Sequence, residues 1–146
     1  SLEEADIVFS SYDIIDAFGK GLGTRFIEKD HLSYSDMLNY NHIGNLTAVL
    51  DTQKFGVPAQ QNCKHEDYAM WLELMRSAPK VVGCVEPLAA YRVHSSNLTS
   101  NKFKSLLWHF IILHRFEKIN IVRALYLSFL GRAYLLLKRQ LFKIPQ

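Results

Sequence analysis

The residues best suited to chemistry fall in two short runs. His65-Glu66-Asp67-Tyr68 sets two carboxylates side by side, and Arg92 and His94 follow at the end of an apolar segment, residues 81–93. An ionised Asp beside a bound substrate can remove a proton from a hydroxyl, while a guanidinium and an imidazole can offset negative charge on a departing phosphate. An isolated Glu-Asp pair is more often only a favourable dipole contact at a helix start. Spacing alone does not bring the four side chains together.

The elements that must position these groups can be read from periodicity. Trp71, Leu74, Met75 and Ala78 recur at three- and four-residue spacing, so a helix is expected from residue 65, stopped by Pro79. Glu66 and Asp67 then occupy its first turn, where unpaired N–H groups and the helix dipole favour negative charge. Residues 6–15 are rich in β-formers, and Gly19-Lys20-Gly21-Leu22-Gly23 supplies a turn before residues 24–27, which predicts a strand and a hairpin. Ser33 or Ser35 is expected to cap a short helix carrying Met37, Leu38 and Ile43 and ending at Gly44. Residues 46–50 read as a second strand and residues 51–64 as a loop. Residues 81–93, interrupted by Pro87, read as two short strands or one edge strand with a break.

Composition bounds the class. With 146 residues, 49% of them hydrophobic, the chain can bury one core but not two, and disordered, collagen-like and repeat architectures drop out. Cys63 and Cys84 are too few for a disulfide framework and fit a reducing compartment, and no signal-peptide pattern precedes Asp6.

The net charge of +3 hides an asymmetry. Residues 1–101 carry eight Lys/Arg against thirteen Asp/Glu, whereas residues 102–146 carry nine against the single Glu117, so a body of −5 precedes a tail of +8. Such a tail points to an anionic partner. Its segments 103–119 and 120–143 read as apolar helices interrupted by Lys and Arg. A spanning helix needs about 20 mostly apolar residues, but the longest charge-free run of the second segment is residues 124–131, so a transmembrane span is rejected. Two readings stay open: a helical hairpin packed on the body, or helices lying in a membrane interface with Arg123, Arg132, Lys138 and Arg139 near anionic head groups.

The run His65-Glu66-Asp67-Tyr68-Ala69-Met70-Trp71-Leu72, followed by Glu86-Pro87-Leu88-Ala89-Ala90-Tyr91-Arg92-Val93-His94, resembles the second half of the catalytic domain of bacterial family 2 glycosyltransferases with the GT-A fold. Ala5-Asp6-Ile7-Val8-Phe9, Leu32-Ser33-Tyr34 and Asn41-His42-Ile43-Gly44-Asn45-Leu46-Thr47 are similar to the stretches such enzymes place between their metal-binding motif and the catalytic helix. The resemblance covers residues 5–115. It implies an α/β fold: a partial, Rossmann-like GT-A domain lacking its N-terminal nucleotide-binding half, with residues 1–101 as the acceptor side, followed by two basic amphipathic helices in residues 102–146.

The resemblance further implies transfer of a sugar from a nucleotide-sugar donor to the hydroxyl of a sugar or lipid-linked acceptor, with inversion, in bacterial surface polysaccharide or lipopolysaccharide synthesis. Asp67 matches the general base and Glu66 the neighbour that shapes the acceptor pocket. Arg92 and His94 match an Arg-x-His element beside the donor diphosphate. His65 and Trp71 are carried over as substrate-binding positions, although Trp71 reads first as a core residue. A divalent cation, Mg or Mn, is implied for the intact enzyme, but its Asp-x-Asp motif is absent from these 146 residues and no metal ligand is assigned. The chain alone is therefore expected not to turn over sugar nucleotide. A cut sheet exposes a strand edge, so dimerisation or another chain is expected to cover it. The family places the protein in the cytoplasm, with the tail at the inner face of the cell membrane.

Other readings have less behind them. Cys63, His65, Cys84 and His94 form a zinc set only if loop and strand converge, and no Cys-x-x-Cys supports it. A nucleic-acid role for the tail is set aside because its aromatics are embedded in aliphatic stripes. The sequons at Asn45 and Asn97 read as chance, and His31, His42, His109 and His114 show no constellation. The non-enzymatic alternative is an α/β interaction module whose basic helical tail binds a membrane surface.

Overall fold

The computed structural model describes residues 4–59, 62–78, 80–93 and 102–142. Its axis is β1 (Ile7–Ile15), whose sequence IVFSSYDII buries Ile7, Phe9, Tyr12 and Ile14 together with the two serines between them. The serines are satisfied locally: Ser10 Oγ donates to the Ser11 carbonyl at 2.8 Å, and Ser11 Oγ accepts from Ile27 N at 3.1 Å. β2 (Gly21–Arg25) folds back antiparallel to β1. In the turn between them Asp16 Oδ1 accepts from Phe18 N and Lys20 N, and Gly19 takes φ 87°, a left-handed conformation that only glycine adopts without strain.

β5 (Val81–Arg92) lies parallel to β1 on its other side. β3 (His31–Leu32) pairs antiparallel with the start of β5, and β4 (Val49–Leu50) with the start of β1, giving a mixed sheet of order β2-β1-β5-β3 with β4 beside β1. β5 is one strand rather than two. Pro87 is tolerated because the register slips there: Ser10 pairs with Cys84 and Ser11 with Pro87, leaving Val85 and Glu86 as a bulge. β3 covers only Val81 and Val82, so among the described residues the far flank beyond Gly83 is unpaired and the missing proline N–H costs no ladder bond.

Three local expectations are corrected. Ser33 does cap a helix, with a reciprocal box to Asp36, but α1 (Tyr34–Met37) is a single turn that leaves Ile43 and Gly44 outside it. Gly44 instead opens a 3-10 turn, Asn45–Thr47, in place of the first half of the expected strand. There Thr47 Oγ donates toward the Gly44 and Ser10 carbonyls and accepts from Ser10 N, local bonding that competes with a strand ladder. The expected loop contains α2 (Thr52–Phe55), because Asp51 Oδ1 accepts from Gln53 N and Lys54 N and so caps a helical turn.

α3 (Glu66–Met75) packs Tyr68, Trp71, Leu72 and Met75 against Phe9, Met37 and Val81. The helix ends at Met75, and Pro79 lies outside the described residues. The tail follows as α4 (Lys102–Ile111), a π-helical turn Ile112–Phe116, and α5 (Ile121–Phe142). Ile112, Leu113 and Ala124 join the same core as the body. Polar contacts fasten the two parts: Arg76 pairs with Glu117 at 2.8 Å, Tyr34 OH also donates to Glu117, and Glu28 receives Tyr40, Tyr134 and Lys138. Two of the charges that make the body acidic and the tail basic are thus matched across the joint. No described helix is long and apolar enough to cross a membrane.

Candidate active site

α3 begins at His65, which holds φ 58° and ψ 45°, a left-handed conformation uncommon outside glycine. Its ring meets Trp108 of α4 edge-on, with centroids 5.0 Å apart, and its buried Nε2 has no hydrogen-bond partner among the described residues. Glu66 is exposed and Asp67 half-buried in the first helical turn. Asp67 has no ion-pair partner among the described residues; Asn41 Nδ2 approaches its Oδ2 at 3.5 Å. Burial, together with the charges of Glu66 and Asp67, pushes the nearby Cys63 thiol up from its ordinary value.

A cavity of about 450 Å³ opens beside this turn. Body and tail both build it. From the body come Tyr12, Arg25, Glu28, Tyr40, Asn41, His65, Tyr68 and Tyr91, and from the tail His109, Ser128, Gly131, Arg132 and Lys138. Arg25 donates to Tyr12 OH at 2.9 Å and to the Asn41 carbonyl at 3.0 Å, so the same Asn41 that faces Asp67 is held by the guanidinium across the cavity. Tyr68 OH donates to the Met37 carbonyl at 2.6 Å, which leaves its oxygen to accept from His109 Nε2 at 3.0 Å and assigns the ring proton to that nitrogen. Burial lowers His109 to about 4, so at neutral pH this ring adds no charge.

The expected site residues are not all on this cavity. Tyr91 and Val93 line it, so the alternation of a strand turns Arg92 away. Its Nη1 donates instead to the carbonyls of Asp16 and Ala17 at 3.0 and 2.9 Å, tying β5 to the β1–β2 turn. Trp71 is only 4% exposed and belongs to the core, with Nε1 lacking a partner among the described residues. His94 and the polar loop that follows it lie outside the described residues, as does Asn97. The sequence pattern did not single out Arg25, Asn41 or Ser128, which stand on the wall. Gly131 within an otherwise apolar helix was their one sequence signal, since such a glycine marks close backbone approach.

Among the described residues no three His, Cys, Asp or Glu side chains gather as cation ligands. The described residues thus present no ready ligand set for a divalent cation. Cys63 and Cys84 are free thiols.

No family model matches the chain. Curated proteins similar to it include three bacterial glycosyltransferases. TuaG of Bacillus subtilis, a glycosyltransferase named for teichuronic acid biosynthesis, is 27% identical over 117 residues, covering 80% of this chain and 46% of TuaG. WfgD of Escherichia coli, named a UDP-Glc:alpha-D-GlcNAc-diphosphoundecaprenol beta-1,3-glucosyltransferase, is 27% identical over 121 residues, covering 82% of this chain and 47% of its own length. WfaP of Escherichia coli, named for the same reaction, is 30% identical over 82 residues, covering 56% of this chain and 33% of its own. The chain spans about half or less of the length of the curated relatives it matches. By these matches it is similar, over that half, to bacterial glycosyltransferases.

Proposed function

We propose that the chain is the acceptor-side part of an inverting, GT-A-type family 2 glycosyltransferase that passes a sugar from a nucleotide-sugar donor to a hydroxyl of a lipid-linked sugar diphosphate. The observation that carries the reading is Asp67: a half-buried carboxylate without an ion-pair partner among the described residues, in the first turn of α3, one hydrogen bond from the wall of a cavity large enough for a sugar. The names of WfgD and WfaP supply the acceptor class, and the partial coverage fits a chain that holds one half of such an enzyme.

In this reading Asp67 takes the proton of the acceptor hydroxyl. The oxygen forms its bond to the anomeric carbon as the bond to the donor diphosphate breaks on the opposite face, and the nucleoside diphosphate leaves. Positioned base catalysis contributes typically 10²–10⁴ in rate. Asn41 orients Asp67, while Arg92 holds the end of β5 through the β1–β2 turn, and so positions Tyr91 on the wall. Glu66, His94 and a divalent cation keep the roles the resemblance implies, with the cation held outside the described residues. The unpaired flank of β5 from Val85 onward is the natural seat for the nucleotide-binding half or for a second copy of the chain. The tail, in the same reading, rests at the cytoplasmic face of a membrane.

The test is Asp67→Asn in a polypeptide that includes the nucleotide-binding half. Transfer to an alkyl-linked sugar diphosphate should fall by about 10²–10⁴ while the melting temperature is kept. Near-normal transfer would remove Asp67 as the base and leave the interaction-module reading.

A further inference from the structure

We infer that the cavity between the body and α5 binds a diphosphate ester, with the Arg132 and Arg25 guanidinium groups facing its phosphates. The inference rests on the transferase reading for the identity of the attached sugar, though not for the site itself. Charge balance comes first. Among the described residues the only carboxylate on the wall is Glu28, and it is already engaged by Lys138, Tyr40 and Tyr134. Arg25 donates only to neutral acceptors, Tyr12 OH and the Asn41 carbonyl. Arg132 is half-buried on the wall and makes no hydrogen bond or ion pair among the described residues. Two guanidinium groups therefore line an open cavity without an ion pair among the described residues, and planar guanidinium groups match phosphate oxygens in bidentate geometry.

Orphaned polar atoms point the same way. Ser128 is 1% exposed, lines the cavity, and its Oγ has no hydrogen-bond partner among the described residues. His65 Nε2 on the same wall is equally unpartnered. Buried hydroxyls and imidazoles are normally satisfied, and a ligand oxygen reaching either atom supplies what the protein does not. The remaining wall is partly aromatic, with Tyr12 and Tyr91 on it as a bound sugar requires.

The site exists only while α5 is docked, and Gly131 fixes that docking. A Cβ there would meet the Asn39 carbonyl, so the helix seats in one register and carries its next residue, Arg132, to the wall.

Direct binding tests the inference, with the full chain and three probes: an N-acetylglucosaminyl diphosphate bearing a short alkyl chain, the same alkyl glycoside without phosphate, and UDP. The sugar diphosphate should bind, the phosphate-free glycoside should bind at least tenfold more weakly, and Arg132→Gln should lose at least tenfold in affinity for the diphosphate. Arg132→Lys should recover part of that loss. Arg123→Gln, an equal charge loss on the exposed face of α5, should bind as the parent does. Binding of UDP in place of the alkyl sugar diphosphate, with the same Arg132 dependence, assigns the diphosphate to the departing nucleotide; the reverse assigns it to the acceptor. Melting temperatures of all variants separate lost contacts from lost folding. The inference is overturned if neither diphosphate binds, or if Arg132→Gln and Arg123→Gln behave alike. The catalytic reading is judged separately: if Asp67→Asn transfers sugar at the parent rate in the polypeptide that includes the nucleotide-binding half, that reading fails while the pocket stands.

Discussion

A Cβ placed on Gly131 would stand 1.8 Å from the carbonyl oxygen of Asn39. Tail and body thus meet here through bare backbone, and the small residues Ala124, Ser128 and Gly131 form the stripe of α5 that turns inward. Gly131→Ala raises helix propensity by about 1 kcal/mol, but the methyl has nowhere to go. Overpacking of this kind costs about 1–3 kcal/mol, and a clash with rigid backbone belongs at the upper end. Thermal melting should therefore show destabilisation, at roughly 2–4 °C per kcal/mol for a chain of this size. An increase in melting temperature would show that α5 does not seat there.

Glu117 is the tail's only acid, and its side chain is just 2% exposed. It accepts from Tyr34 OH and pairs with Arg76, whose own side chain is 47% exposed. Glu117→Gln keeps the shape but turns an NH₂ toward one of two donors, which should cost about 1–3 kcal/mol. Arg76→Ala should then cost clearly less in the Glu117→Gln background than in the parent, because the partner is already lost. Denaturant unfolding of the four proteins of this cycle measures the difference; strictly additive losses would show that the pair does not couple.

Acid sensitivity has two separate windows. Burial lowers His42, which stacks on Tyr40 at 3.9 Å, to about 4, and burial likewise lowers His109 to about 4. From the ordinary value of 6.5 down to about 4 the unfolded chain takes up protons that the folded chain refuses. Stability therefore falls as pH falls through that range, by on the order of 1–3 kcal/mol per histidine. Asp36 acts lower. Burial pushes its carboxyl up, but Lys29 and Ser33 outweigh this and hold it at about 2, so its contribution is full above 3.8 and is lost toward 2. Melting temperatures at pH 7 and 4.5 should converge for the double variant His42→Gln, His109→Gln and not for Asp36→Asn.

The local half of this molecule was legible. Strand β1, the Gly19 turn and the amphipathic helix after His65 each follow from residues within a few positions of one another, and so does the place of Glu66 and Asp67 in the first helical turn. Pro87 was read as a break or an edge position, but only the sheet order showed that, among the described residues, one flank of the strand is open there. The cavity was not legible. It joins Arg25 and Asn41 to Ser128 and Arg132, residues far apart in the chain whose meeting depends on how α5 lands. Arg92 makes a related point: strand alternation carries it off this cavity, where its Nη1 donates to the carbonyls of Asp16 and Ala17.

The outward face of α5 bears on where the protein works. Val122, Tyr126 and Phe129, at helical spacing, are 79%, 61% and 62% exposed, opposite the stripe that docks on the body. Exposed Arg123 lies beside them, and Lys104 and Arg115 are exposed on the preceding segment. An apolar stripe flanked by cations suits the boundary between anionic head groups and acyl chains. Burying a phenylalanine side chain contributes about 1.5–3 kcal/mol, so replacing Val122 and Phe129 together by Asp should cut partitioning by tenfold or more. Flotation with vesicles of anionic lipid should recover the parent chain and leave the double variant in solution, and vesicles of neutral lipid should recover less of the parent. Because neither residue touches the core, both proteins should melt alike. Equal flotation of parent and variant would sink the membrane assignment and leave this face to another protein surface.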